Sequence, residues 1–114
     1  MHGHEIGDRV LRMVAATLQH NLRKSDVLGR WGGDEFLVIL HGLVSTQWLS
    51  AIGETLRMLV ESSRLDLENT SLSVTVSTGA TLLLPEDTPD AAFRRVDELM
   101  YQSKNTGRNK VSGD

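Results

Sequence analysis

The chain has 114 residues, no cysteine, and 12 basic against 15 acidic side chains, for a formal net charge of −3. That length suits one domain able to bury roughly two-thirds of its unfolded surface, and the lack of cysteine excludes disulfide staples and thiolate metal sites, which fits a reducing, cytoplasmic setting. The acidic balance argues against a non-specific nucleic-acid binder, and neither a signal-peptide pattern nor an apolar run near the ~20 residues of a membrane span is present.

Taken in chain order, His2 and His4 read as loop histidines, with chelation of a metal as the other reading. Ile6, Val10, Leu11, Val14, Ala15, Leu18 and Leu22 recur at spacings of three and four, which predicts an amphipathic helix over about residues 5–23. Val27 and Leu28 open an extended run, Phe36 to Leu40 is an apolar segment of strand length, and the turn between them falls at Gly32 to Glu35. Thr46 reads as the N-cap of a second helix with Leu49, Ile52, Leu56, Leu59 and Val60 on one stripe, and Trp48 packs at its start. Ser62 to Asn69 turns the chain, and Leu72, Val74 and Val76 alternate with polar residues in a half-buried strand from Ser71 to Leu84, where Thr78-Gly79 allows a close backbone approach. Thr88 as N-cap and Pro89 at the first helical position open a last helix through Phe93, Val96 and Met100, ended by Gly107. Asn109 to Val111 forms a short final strand. Repeats, low-complexity tracts and internal linkers are absent from the sequence.

The hairpin tip supports two readings. Glycine at Gly32 and Gly33 lets a phosphate approach backbone N–H groups. Asp34 and Glu35 are hard oxygen ligands suited to Mg²⁺ carried in with nucleotide phosphates. An ordinary acidic turn accounts for the same residues.

The string Gly32-Gly33-Asp34-Glu35-Phe36 resembles the signature hairpin of the GGDEF family, the diguanylate cyclases that condense two GTP into cyclic di-GMP. Three further blocks, in the family's order, carry the same likeness. They are Gly3-His4-Glu5-Ile6-Gly7-Asp8 with Val10-Leu11, then Val74 to Ala80, then Asp97 to Lys104 with Gly107-Arg108-Asn109. The resemblance implies a single GGDEF domain over residues 1–114 with an α+β, palm-like nucleotidyl cyclase fold. Its antiparallel-rich sheet would be covered by helices in the order α-β-β-α-β-α-(β). It also implies that the family's first central strand, which brings a metal-binding aspartate, is missing ahead of Met1. Bare neighbouring strands then favour a homodimer, strand-swapped in one arrangement, and turnover by this chain should be impaired.

Residue by residue, the resemblance makes Asp34 the metal-binding acid that helps activate the 3′-hydroxyl and Glu35 its supporting acid. Gly32 and Gly33 become the turn around the triphosphate, and Asp8 the acceptor for guanine N1–H and N2–H₂. Lys104 and Arg108 become the cations on the β- and γ-phosphates. Arg23 and Asp26 become the Arg-x-x-Asp inhibitory site for the cyclic product, with five residues between Asp26 and Gly32. Without the family, Asp8 is equally an early-helix acid and Lys104 and Arg108 helix-end cations, while Arg23 and Asp26 are an ordinary ion pair. Trp31 stands where the family usually has tyrosine.

The implied reaction needs Mg²⁺ (or Mn²⁺) and two antiparallel domains, each presenting one GTP, under control of an upstream sensor or receiver domain. No nucleic acid and no membrane contact is implied for the domain. A second hypothesis is a non-catalytic regulatory domain that binds cyclic di-GMP or GTP through Arg23 and Asp26. A third, another palm-type cyclase or polymerase fragment, shares the metal logic without predicting Arg-x-x-Asp at this register.

Overall fold

The computed structural model describes residues 2–114, with side chains from Glu5 onward. Its elements run α1 (His2–His20), β1 (Val27–Arg30), β2 (Phe36–Ile39), α2 (Thr46–Ser62), β3 (Leu65–Asp66), β4 (Ser71–Leu72), β5 (Ser77–Ala80), α3 (Pro89–Asn105) and β6 (Lys110–Gly113). The chain divides into two compact units. The first holds Met1–Gly42 and Leu59–Val74, the second Leu43–Met58 and Thr75–Asp114.

In the first unit α1 follows its apolar spacing: Val14 and Leu18 are buried, while Arg9, Arg12, Ala16 and Gln19 face outward. The helix begins earlier and ends earlier than its periodicity predicts. Residues up to Leu22 keep the apolar rhythm in tightened turns, with Asn21 N–H donating to Leu18 O at 3.1 Å and Leu22 N–H to Gln19 O at 3.4 Å. His2 and His4 belong to the helical backbone rather than to a loop. Their side chains lie outside the described residues, as does any reading of them as chelators. Val60 is fully buried, and Thr17 Oγ1 lies 3.0 Å from Ser63 Oγ, tying α1 to the end of α2.

β1 and β2 pair antiparallel, with Val27 opposite Ile39 and Arg30 opposite Phe36. The predicted turn over Ser62 to Asn69 contains a two-residue strand, β3, which pairs antiparallel with β4. The single strand expected from Ser71 to Leu84 is therefore two strands. Side-chain alternation persists through Val74 and Val76, but β4 pairs with β3 and β5 with β6, and residues 73–76 lie between these ladders.

The second unit is built on a β-α-β arrangement in which β5 and β6 pair in parallel, Ser77 opposite Lys110 and Ala80 opposite Gly113, joined through α3. Thr88 caps α3 as predicted: its side-chain oxygen accepts from Ala91 N–H at 3.1 Å, with Pro89 at the helix start. Arg108 N–H returns to Ser103 O at 2.9 Å across Gly107, whose φ is 119°, a glycine stop of the expected kind. Ser103 is fully buried and its hydroxyl bridges Thr78 O at 2.7 Å and Ser112 Oγ at 2.8 Å, joining α3 to both strands.

Two expectations for α2 need correction. Ser45 rather than Thr46 caps it, since Leu49 N–H donates to Ser45 O at 3.1 Å and Trp48 N–H to Ser45 Oγ at 3.4 Å. Trp48 is 68% exposed rather than packed, because it falls off the stripe of Leu49, Ile52 and Leu56. Among the described residues no helix is long and apolar enough to cross a membrane.

Candidate functional site

The β1-β2 tip is held by its own backbone and by one side chain. Trp31 N–H donates to Glu35 O at 2.9 Å and Gly32 N–H to the same oxygen at 3.4 Å, closing the loop where the sequence places it. Arg30 folds over the turn: its Nε donates to Gly32 O and to Gly33 O, each at 3.2 Å, and its Nη2 also donates to Gly33 O. The carbonyls of both glycines are thus engaged from the strand below by a cation, a stronger tie than a neutral donor provides. Glu35 is half-buried and turns back on the loop, with Oε2 3.6 Å from where a Cβ on Gly32 would sit. Asp34 is exposed at the tip.

Beside this hairpin is a cavity of about 360 Å³, lined by Asp8, Leu11, Arg12 and Ala15 of α1, Leu28 and Arg30 of β1, and Phe36 of β2. The volume is that of a small-ligand site. The α1 residues follow the i, i+3, i+4, i+7 spacing of one helix face, Leu28 and Arg30 share one face of β1, and Phe36 stands opposite Arg30. Apolar walls with one carboxylate and two guanidinium groups suit a flat polar ring carrying negative charge at one end. Asp8 was legible only through the family motif. The sequence reading gives Leu28 and Phe36 only as strand and signature residues and Arg12 and Arg30 no site role, although the helix spacing from Asp8 and the two-residue step from Leu28 to Arg30 carry the signal.

Arg23 and Asp26 form a pre-built pair in the same unit. Asp26 is buried, with a side chain 2% exposed, and accepts from Arg23 N–H at 2.8 Å, Arg23 Nε at 3.2 Å, Arg23 Nη2 at 3.0 Å and His41 N–H at 3.4 Å. Arg23 Nη2 also donates to His41 O at 2.6 Å. The Arg23 hydrogen bonds hold the Asp26 carboxyl below the usual carboxylate range against the opposing pull of desolvation, and the same bonds raise Arg23. Arg23 keeps 57% of its side chain exposed, so a fixed guanidinium faces solvent.

Lys104 and Arg108 belong to the second unit, whereas Asp8, Arg23, Asp26 and the hairpin belong to the first. Lys104 sits in the last turn of α3, its Nζ 5.8 Å from the centre of the Tyr101 ring, a cation–π distance. Arg108 is exposed just past the helix, in the left-handed turn where its φ is 61°.

The donor set at the tip fits a magnesium ion brought by a nucleotide better than a resident one. Among the described residues no group of three His, Cys, Asp or Glu side chains gathers to hold an ion. An ion at Asp34 and Glu35 would complete its shell from phosphate and water, the mode Mg²⁺ favours.

Against known proteins, the family model described as "Diguanylate cyclase, GGDEF domain" matches residues 1–110. Response regulator PleD of Caulobacter vibrioides is 42% identical over 97% of this chain and 25% of its own length. Diguanylate cyclase DgcM of Escherichia coli K12 is 36% identical over 97% of this chain and 26% of its own. The chain therefore spans about a quarter of the length of these curated relatives. Among solved structures, diguanylate cyclase SiaD of Pseudomonas aeruginosa, in complex with its activator SiaC, superimposes with a TM-score of 0.91 at 34% identity, covering 98% of this chain and 43% of that one. DgcB of Caulobacter crescentus, in complex with c-di-GMP, gives 0.86 at 28% identity over 98% of this chain and 60% of that one. These neighbours bear out the α+β nucleotidyl cyclase fold class, in which the parallel β5-β6 pair was not anticipated.

Proposed function

The chain belongs to the GGDEF domain family of diguanylate cyclases, and from this premise we propose that it binds GTP with Mg²⁺ and joins two GTP into cyclic di-GMP with release of pyrophosphate. The observation that carries the reading is the closed Gly32–Glu35 tip beside the cavity that Asp8 and Phe36 line. In this reading Asp8 accepts from the guanine N1–H and N2–H₂ edge, and Leu11, Leu28 and Phe36 cover the faces of the base. Arg30 keeps the glycine carbonyls engaged, and with Gly32 N–H already donated to Glu35 O it is the Gly33 and Asp34 amides that would meet phosphate. Lys104 and Arg108 neutralise the β- and γ-phosphates, the charge that leaves as pyrophosphate. Asp34 and Glu35 would hold the metal, which when bound supplies charge neutralisation at the reacting phosphate and lowers the pKa of the attacking 3′-hydroxyl. Each 3′-oxygen displaces pyrophosphate from the other nucleotide, so one domain holds half of the reactants and a homodimer is part of the mechanism.

The fixed, exposed guanidinium of Arg23 favours product feedback at Arg23 and Asp26. The same pair would serve a domain that binds cyclic di-GMP without making it, and two variants separate these uses. Arg23→Ala should relieve inhibition by cyclic di-GMP while synthesis continues, and Asp34→Ala should abolish synthesis while cyclic di-GMP still binds. Binding without any GTP conversion in the intact natural protein would favour the regulatory domain and sink the cyclase.

A further inference from the structure

Arg57 lies on α2 with a side chain only 12% exposed, and its donors reach Glu54 and Asn109 in the second unit. Nε and Nη2 donate to the Glu54 carboxylate at 2.9 and 2.5 Å, while Nη1 reaches across 52 residues of sequence to Asn109 Oδ1 at 2.7 Å. Glu54 neutralises the guanidinium and fixes the plane of its fork, so the Nη1 edge has a set direction. One turn earlier on the same helix, a Cβ on Gly53 would lie 3.2 Å from Val111 Cγ1, so α2 already rests closely on β6. The Arg57–Asn109 bond has little slack.

Its target is the turn that carries Arg108. Gly107, Arg108 and Asn109 have φ of 119°, 61° and 50°, three left-handed residues in a row. Glycine and asparagine visit that region readily; arginine does not. Arg108 N–H is held from the helix side by Ser103 O at 2.9 Å, and Asn109 is held from α2 by Arg57. The turn is pinned on both sides of the one residue that has reason to leave it.

We infer that Arg57 is a positioning residue: through Asn109 it keeps Arg108 in the left-handed conformation in which its guanidinium meets the β- and γ-phosphates of GTP. The inference rests on the phosphate-binding role proposed for Arg108 above. Arg57 touches no nucleotide, and its removal should be felt only by ligands that carry the terminal phosphates.

The test is equilibrium binding of GTP and of GMP, with thermal unfolding recorded in parallel, for the full chain and for Arg57→Ala, Asn109→Gly, Arg108→Ala and the Arg57→Ala/Arg108→Ala double variant. Asn109→Gly keeps the turn accessible and removes the Oδ1 acceptor with the rest of the side-chain amide while leaving Arg57 in place, so it gives an answer even if Arg57→Ala does not fold. Arg57→Ala and Asn109→Gly should each weaken GTP about fivefold to tenfold and change GMP by less than about twofold, with the double variant close to Arg108→Ala alone. Parallel losses for GTP and GMP, or a lower melting temperature with an unchanged ratio of the two affinities, would overturn the positioning role. If Arg108→Ala leaves that ratio unchanged, the phosphate role of Arg108 fails and the inference with it. If Arg108→Ala shifts the ratio and the Arg57 and Asn109 variants do not, the phosphate role stands and the positioning role falls.

Discussion

Replacing Gly79 with alanine should destabilise what β5 and α3 build together. A Cβ at this position would sit 2.3 Å from Val96 O and 2.4 Å from Met100 N, directly on a backbone hydrogen bond of α3, and 2.9 Å from Leu99 C. Ordinary contact begins near 3.4 Å, so strand and helix must separate by the difference, 3.4 − 2.3 = 1.1 Å. No side chain can absorb this, because all three atoms are backbone. The same shift would stretch the Ser103 hydroxyl bond to Thr78 O well beyond its 2.7 Å. Overpacking of this kind costs about 1–3 kcal/mol, and the lost hydrogen bond adds about 1 kcal/mol. A total near 3 kcal/mol corresponds to about 12–18 °C in melting temperature for a domain of this size. Thermal unfolding followed by circular dichroism measures it. Gly7→Ala is the control: it lies inside α1 with nothing within 4 Å of the added Cβ, and should stabilise by about 0.5–1 kcal/mol. A Gly79→Ala melting point within about 4 °C of the wild type would refute the close-packing argument.

Three further outcomes follow from particular contacts. The hydrogen bonds from Arg95, and then from Leu84 N–H, lower the Asp87 carboxyl to about 2, below its value in the unfolded chain. Its contribution to stability is therefore present above pH ~4 and is lost as pH falls toward ~2; Asp87→Asn should flatten the acid limb of the stability curve, and an NMR titration midpoint near 4 for Asp87 would contradict this. Asp8→Ala should reduce the preference for GTP over ATP by at least about tenfold in competition binding, and an unchanged preference would remove Asp8 from the base-binding role. Arg30→Met should raise hydrogen exchange at the Gly33 and Asp34 amides with little change in global stability, whereas unchanged exchange would mean that the strand pairing alone holds the tip.

Features encoded by neighbouring residues were readable in the sequence, and those that depend on a distant partner were not. The glycine-acidic tip, the Thr88-Pro89 helix start and the Gly107 stop each rest on backbone preferences of residues within a few positions, and all three stand where expected. The run from Ser71 to Leu84 keeps its alternation across a change of partner strand, so its periodicity could not reveal the break at 73–76. Thr46 and the neighbouring Ser45 are both side chains able to cap a helix, and only the Trp48 N–H and Leu49 N–H bonds assign the cap to Ser45. For the candidate site, the family's strings point to Asp8, Asp34, Glu35, Arg23 and Asp26. Arg30 escaped notice because its bonds to Gly32 O and Gly33 O depend on the turn's conformation, and Arg57 because its partner lies 52 residues away.

The central claim is that Asp34 and Glu35 at the hairpin tip support Mg²⁺-dependent joining of two GTP. Chromatographic quantification of cyclic di-GMP from GTP, with Mg²⁺ and with chelator, in the intact natural protein and its Asp34→Asn variant tests it most directly. The account predicts product with Mg²⁺, none with chelator, and a loss of at least about a hundredfold in Asp34→Asn. Equal product from the variant, or product that persists when the metal is removed, would contradict it.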